Sequence, residues 1–287
     1  MSGGKNSIAF QGFLGANSHI ACKERFPKMT PLPCVRFEEA FEAVEKGKAR
    51  LAMIPVDNSI AGRVADIHHI LPGSGLSIIG EHFLRVTYQL MAVPGATLKT
   101  LKRVESHVQS LSQCAKYIRK LKLTPIVSAD NAGAAKDVAE RGDKTVAAIA
   151  PPLAAKIYGL KTLASNIEDE DHNTTRFLIM SKTPVKTDPK KGPLVTSFVF
   201  RVRNVPAALY KALGGFATNG VNMTKLESYM IGGHFTATQF YAEVDGHPDE
   251  RALQLAFEDL RFFSKEVKIL GTYPGHPFRY AAAAKAH

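Results

Sequence analysis

At 287 residues the chain is long for one compact core, so two structural units are expected. Its 45% hydrophobic and 22% charged content is that of an ordinary globular enzyme, and no apolar run is long enough to span a bilayer. The formal charge of +11 admits a nucleic-acid surface, but there is no Trp, no zinc-ligand spacing and no interleaving of aromatics with basic residues; a basic enzyme attracting a small anionic substrate fits the same charge.

The polar opening from Met1 to Asn6 has no signal-peptide character, so the protein is expected to stay in the cytoplasm. Cys22, Cys34 and Cys114 are odd in number and lack metal-ligand spacing, so they read as reduced thiols packed as small hydrophobes. Ser7 to Phe10 reads as a buried strand, followed by a turn over Gln11 to Gly15 and a helix capped by Asn17 or Ser18 that runs to about Phe26. Phe37, Ala40, Phe41 and Val44 keep helical spacing up to Gly47, and Leu51 to Ile54 is a buried strand that stops at Pro55. A long β-like stretch, Ser77 to Val93, leads through Leu98 to Val104 into Glu105-Ser106-His107 and a helix from about Gln109 to Leu121. Pro125 to Val127 is a strand, Asn131 to Arg141 a helix closed by Gly142, and Thr145 to Ala150 a strand before a helix opened by Pro152. Phe177 to Met180 is a last buried strand. This alternation predicts parallel sheets covered by helices, in two α/β lobes around a cleft.

Residues 181–193 are polar and proline-rich and read as a linker. Beyond it, Leu194 to Val202 is a strand, and Pro206 opens a helix with the stripe Leu209, Ala212, Leu213 and Phe216. Val221 to Ile231 and Phe235 to Val244 are strands joined at Gly232-Gly233; Leu253 to Phe263 marks a helix, and Val267 to Leu270 a strand. This βαββαβ order is that of the ferredoxin-like sandwich. The alanine-rich end, Ala281 to His287, shows no pattern.

Four segments carry polar chemistry beside predicted strands. In Asp171-His172-Asn173-Thr174-Thr175-Arg176-Phe177, hydroxyls and a guanidinium precede a buried strand, a combination suited to gripping a carboxylate, although a capped loop with a surface Arg has the same spacing. Glu105 to Cys114 lies where a strand hands over to a helix, a place where open α/β sheets bind ligands; Ser106 as an N-cap and His107 as a solvated loop residue are the plainer readings. Pro55 to Gly62 follows a buried strand, and Gly12 to Ser18 is a phosphate-loop lookalike without a Walker lysine.

Taken in order, these segments resemble the prephenate dehydratase family. Its Pro-x-Glu-Asn-Ser-like segment is matched at Pro55 to Ser59, its Ser-His-Pro-Gln segment with a downstream Gln-Cys at Ser106 to Gln109 and Gln113-Cys114, and its Thr-Arg-Phe segment at Thr175-Arg176-Phe177. Asp57 stands for the usual Glu and Val108 for the usual Pro. The resemblance runs from Ile8 to Pro274. It implies a two-lobed, periplasmic-binding-protein-like catalytic domain over 6–182, a linker over 183–193, a ferredoxin-like ACT domain over 194–274 and a tail over 275–287. It implies loss of CO2 and water from prephenate to give phenylpyruvate in phenylalanine biosynthesis, with no cofactor or metal. Thr175 is then the catalytic hydroxyl, with His107 as a possible proton relay. Asn58, Ser59, Ser106, Gln113, Asn173, Thr174, Arg176 and Phe177 are the substrate-binding set, Arg176 as the carboxylate-binding cation.

The ACT resemblance, at Ala207-Ala208-Leu209 and Glu227-Ser228-Tyr229-Met230, implies phenylalanine as effector and pairing into a homodimer or homotetramer. Asn219 and Asn222 join the effector set. Arogenate dehydratase, acting on the amino-acid analogue, shares every one of these motifs. A solute-binding protein also uses two lobes, but the lack of an export signal and the Thr-Arg-Phe segment oppose it; a nucleic-acid-binding regulator lacks a helix-turn-helix.

Overall fold

The computed structural model describes residues 4–64, 67–203, 205–230 and 237–283. It divides into two compact units, Met1–Val64 with His82–Phe177, and Ala65–Glu81 with Leu178–His287. Among the described residues no helix is long and apolar enough to cross a membrane.

The chain opens with β1 (Ser7–Gln11), α1 (Asn17–Arg25), β2 (Thr30–Cys34), α2 (Phe37–Glu45), β3 (Leu51–Asn58) and β4 (Gly62–Arg63). After α3 (Ile67–Ile70) come β5 (Ser77–Arg85), β6 (Gln89–Ala92), β7 (Arg103–Ser106), α4 (Val108–Gln113), α5 (Ala115–Lys120) and β8 (Thr124–Val127). Then follow α6 (Asn131–Arg141), β9 (Val146–Ala150), α7 (Pro152–Tyr158), β10 (Lys161–Ser165) and β11 (Thr174–Ser181). One sheet has the order β2-β1-β3-β11-β5, with β4 folded antiparallel onto β3; the other runs β10-β6-β9-β7-β8. The fold is mixed α/β. The second sheet is mixed rather than purely parallel: β7 runs parallel to β8 and β9, but β6 is antiparallel to β9 and β10. Strand β5 passes to β6 with no helix between them.

Several boundaries differ from expectation. Strand β3 does not stop at Pro55 but continues to Asn58, because proline's fixed φ fits an extended strand. Strand β2, hidden in the sequence by Pro31 and Pro33, lies at a sheet edge. Its prolines occupy alternate positions, opposite Ile8 and Phe10, so both missing N–H groups face the same side, away from the ladder. Helix α1 is not capped by Asn17 or Ser18: its N-cap is Ala16, and Nδ1 of buried His19 accepts the Gly15 N–H at 2.9 Å. Burial, and then the charge of Lys23, hold the His19 pKa below its usual value, which keeps the ring neutral and able to accept. The helix expected from Gln109 to Leu121 is broken at Cys114 into α4 and α5. Strand β10 was not legible.

The second unit contains β12 (Leu194–Val202), α8 (Ala208–Thr218), β13 (Met223–Met230), β14 (Ala237–Asp245), α9 (Arg251–Phe263), β15 (Ser264–Pro274) and α10 (Pro277–Ala283). Its antiparallel sheet has the order β13-β14-β12-β15. The turn predicted at Gly232-Gly233 lies outside the described residues. Helices α8 and α9 bury their apolar stripes on one sheet face, where Phe198 stacks on Phe216 at 5.7 Å and meets Phe257 edge-on at 5.0 Å. Two expectations are corrected in this unit. The 275–287 segment, expected as a tail, is helical over Pro277–Ala283, where Arg279 anchors it by ion pairs. Helix α8 starts at Ala208 rather than at Pro206, because Ala207 adopts a left-handed conformation with φ +61°.

That conformation presses an alanine Cβ toward the following carbonyl, at a cost of about 1–2 kcal/mol that glycine escapes. Ala207→Gly should therefore raise stability by about 1 kcal/mol, less the greater chain entropy of glycine. Denaturant unfolding checks it, and a loss of stability would contradict the backbone conformation.

Candidate active site

Strands β3 and β11 are neighbours, and the polar ends of both meet. Asn58, the last residue of β3, turns its side-chain oxygen back to accept the N–H groups of Ile60 at 3.0 Å and Ala61 at 2.8 Å. This fixes which end of the amide is which. The NH2 end must face β11, where it donates to Thr175 Oγ1 at 2.9 Å and to Asn173 Oδ1 at 2.7 Å. Asn173, almost wholly buried, donates in turn to Gln113 Oε1 at 2.9 Å.

The result is one directed chain. Each of these oxygens already accepts one bond from within, Thr175 Oγ1 keeps its proton to donate, and Gln113 Nε2 keeps its N–H bonds. Neither outlet has another hydrogen-bond partner among the described residues. Each link polarises the next in a partly buried setting. A site with donors at both outlets suits an anionic, oxygen-rich ligand. Beside Gln113 lies a cavity of about 220 Å³, lined by Ile60, Ser112, Gln113, Lys116, residues 168–170 and Asn173.

Ser59 and Thr174 support this arrangement rather than adding outlets. Ser59 N donates to the Thr174 carbonyl, Thr174 N donates to Ser59 Oγ, and Ser59 Oγ donates to the His172 carbonyl, each at 2.9 Å.

Three expected ligand groups are placed elsewhere. Successive strand residues point to opposite faces, so Arg176 is turned away from Thr175. It is buried and paired with Asp57 at 3.4 Å, while the adjacent residues of the two strands, Asn58 and Thr175, pair with each other. Arg176 therefore meets a protein carboxylate rather than presenting its charge beside the Thr175 hydroxyl. Ser106 is fully buried and donates to the Ile149 carbonyl at 2.6 Å, which leaves it no ligand to reach. Phe177, 1% exposed, belongs to the core. His107 caps α4, its Nδ1 accepting the Gln109 N–H at 3.4 Å, and makes no hydrogen bond to the Thr175 chain.

Sequence reasoning missed residues that carry no motif. Tyr88 is buried, and that burial pushes its phenol up to about 12. Its backbone pairs with the 166–173 segment: Ile167 N donates to the Tyr88 carbonyl at 3.2 Å, and Tyr88 N to Glu168 Oε2 at 3.0 Å. A lone Tyr after a strand has no pattern by which to recognise it.

The expected effector residues lie in the second unit. Ala207 and Ala208 start α8, with Leu209 packed partly against the core. Asn219 donates to the Gly215 carbonyl at 2.8 Å and closes that helix, while Asn222 donates to Asp245 Oδ2 at 2.7 Å. Glu227 pairs with Lys225 at 3.3 Å, and Ser228 is exposed beside it on β13.

The Thr175 hydroxyl, oriented by Asn58, sits on a mixed α/β frame. Residues 8–185 match the family model described as prephenate dehydratase, and the chain belongs to that family. It is 50% identical, over 96% of its own length and 98% of the relative's, to a bifunctional N-acyl-homoserine lactone acylase/prephenate dehydratase of Komagataeibacter europaeus. It is 35% identical, over 95% of itself and 74% of the relative, to the chloroplastic arogenate dehydratase/prephenate dehydratase 2 of Arabidopsis thaliana. The solved prephenate dehydratase of Arthrobacter aurescens in complex with L-Phe superposes with a TM-score of 0.85 at 28% identity, covering 98% of this chain and 97% of that one.

Proposed function

We propose that the protein converts prephenate to phenylpyruvate in the cytoplasm, with Thr175 donating a hydrogen bond to the departing oxygen. The supporting observation is the Asn58–Thr175 hydrogen bond, which leaves the threonine proton for an outside acceptor. In the reaction the bond from the ring to its carboxylate breaks and CO2 leaves. That electron pair completes the aromatic ring as the opposite C–O bond breaks, and the hydroxide departs as water after gaining one proton. A threonine is a weak acid, so Thr175 acts as an oriented donor and the proton itself comes from solvent or through a relay; Gln113 Nε2 offers N–H bonds to the substrate's oxygens. The two sheets of the first unit form the lobes of a periplasmic-binding-protein-like cleft, and the 194–274 segment is a ferredoxin-like ACT domain that takes phenylalanine and pairs the chains. The strand order β13-β14-β12-β15 with two helices on one face supports that assignment.

Purified protein should produce phenylpyruvate from prephenate, followed by absorbance, and phenylalanine should inhibit it. Arogenate tested in parallel, with phenylalanine as product, ranks the two substrates. No turnover of either sinks the reading. A second reading has one specific support, the 50% identity to a relative also named as an acylase: release of homoserine lactone from an N-acyl-homoserine lactone by the same preparation would establish it, and none would remove it.

A further inference from the structure

We infer that Asp169 is a positioning residue for the dehydratase reaction, acting through Gln113. The inference rests on the dehydratase reading of the Thr175 site.

Gln113 is the last residue of α4, and the chain breaks at Cys114 before α5 begins. A helix end is a poor place from which to aim a side chain, because its last carbonyls lack intrahelical partners and it frays. Asp169 removes that freedom from both sides of the break. Its N–H donates to the Gln113 carbonyl at 2.6 Å. Its carboxylate accepts the Lys116 N–H in the first turn of α5, with both oxygens at 3.2 Å. One residue thus satisfies an orphan acceptor of α4 and an orphan donor of α5, and pins the two helices at the break that the sequence pattern did not predict.

The same segment carries Asn173, four residues on. Asn173 is held in place because its carbonyl accepts Val86 N at 2.8 Å. Asp169 therefore fixes the Gln113 end of the Asn173–Gln113 hydrogen bond to the segment that supplies the other end. Without the carboxylate, α5 loses its cap and Gln113 can rotate or fray. The chain from Asn58 then ends on a side chain with no fixed direction, and the N–H bonds of Gln113 no longer meet the substrate in one geometry. Misplacement of a binding group by about 1 Å is enough to lower turnover about 10²-fold in well-ordered sites.

The test is a double-mutant cycle on the full chain with Asp169→Ala, Gln113→Ala and the pair, measuring kcat and KM for prephenate. Asp169→Ala is expected to lower kcat by about ten-fold or more, and in the Gln113→Ala background by less than about two-fold, because its effect runs through the glutamine. Asp169→Asn, which keeps an oxygen to accept Lys116 N, should recover most of the activity. If Asp169→Ala does not fold, Asp169→Ser takes its place in the cycle. Effects that multiply independently, or unchanged kcat in the Ala or Ser variant, overturn the inference. An Asn variant as impaired as Ala overturns it too, since charge rather than cap geometry would then be at work. If the unmodified protein turns over neither prephenate nor arogenate, it is the dehydratase reading that has failed, and the inference falls with it.

Discussion

Thr175→Ala is expected to fold normally, to keep KM within a few-fold and to lower kcat by roughly two to four decades, the range for loss of an oriented donor at a leaving group. The hydroxyl is only partly buried, and its deletion leaves one Asn58 N–H without its acceptor. That is a stability loss of about 1 kcal/mol, too small to unfold a chain of this size. The same contact argues for an effect on turnover rather than on affinity. A donor that meets hydroxide strengthens as charge develops on the leaving oxygen, whereas the ground-state hydroxyl of the substrate already has partners in water. Thr175→Ser keeps the donor but frees χ1, which a β-branched side chain restricts, and should lie between the two. Phenylpyruvate formation on folded protein, verified by circular dichroism, decides it. Near-normal turnover in the alanine variant would remove Thr175 from the chemistry.

Much of the fold was legible because burial imposes periodicity. Strand β12 and helix α6 appear with the expected bounds, the latter because Gly142 supplies a left-handed C-cap with φ +66°. What was not legible depended on neighbours distant in sequence. The α4–α5 break is bridged by Asp169, 55 positions beyond Cys114 by residue number, and nothing in the local pattern announces it. Strand β2 contradicts propensity at two prolines and survives because it sits at an edge. At the candidate site, the motif segments place Asn58, Gln113, Asn173 and Thr175 in one hydrogen-bonded chain. Arg176, Ser106 and Phe177 lie outside that chain, since a linear motif does not record which face of a strand a residue occupies. The alternation from Thr175 to Arg176 was available in the sequence, and it would have separated them.

The largest stability effect is expected far from that site in the chain, at Arg279 on α10. Its Nε donates to Glu81 Oε1 and its Nη2 to Glu243 Oε2, both at 2.6 Å. Both carboxylate side chains are fully buried, and the arginine itself is 14% exposed. Tyr241 adds a donor to Glu243 at 2.5 Å, and His276 N one to Glu81 at 2.9 Å. Burying a charge is costly unless it is paired and hydrogen-bonded. Arg279→Ala strips the shared cation from both carboxylates at once, and breaking even one buried pair costs about 3–5 kcal/mol. The expected loss is at least that large, a sizeable share of the whole stability of a domain. Arg279→Lys should recover only part of it, because a point ammonium cannot reproduce the fork that reaches both acids. The cause is separable from lost packing of the tail helix. In a Glu81→Gln, Glu243→Gln background no buried charge is abandoned, so Arg279→Ala should then cost about 1–2 kcal/mol or less, the scale of broken neutral hydrogen bonds. Calorimetric unfolding of the four proteins measures the difference. If Arg279→Ala costs the same in both backgrounds, the tail is held by contact area, and the bridging charge contributes nothing of its own.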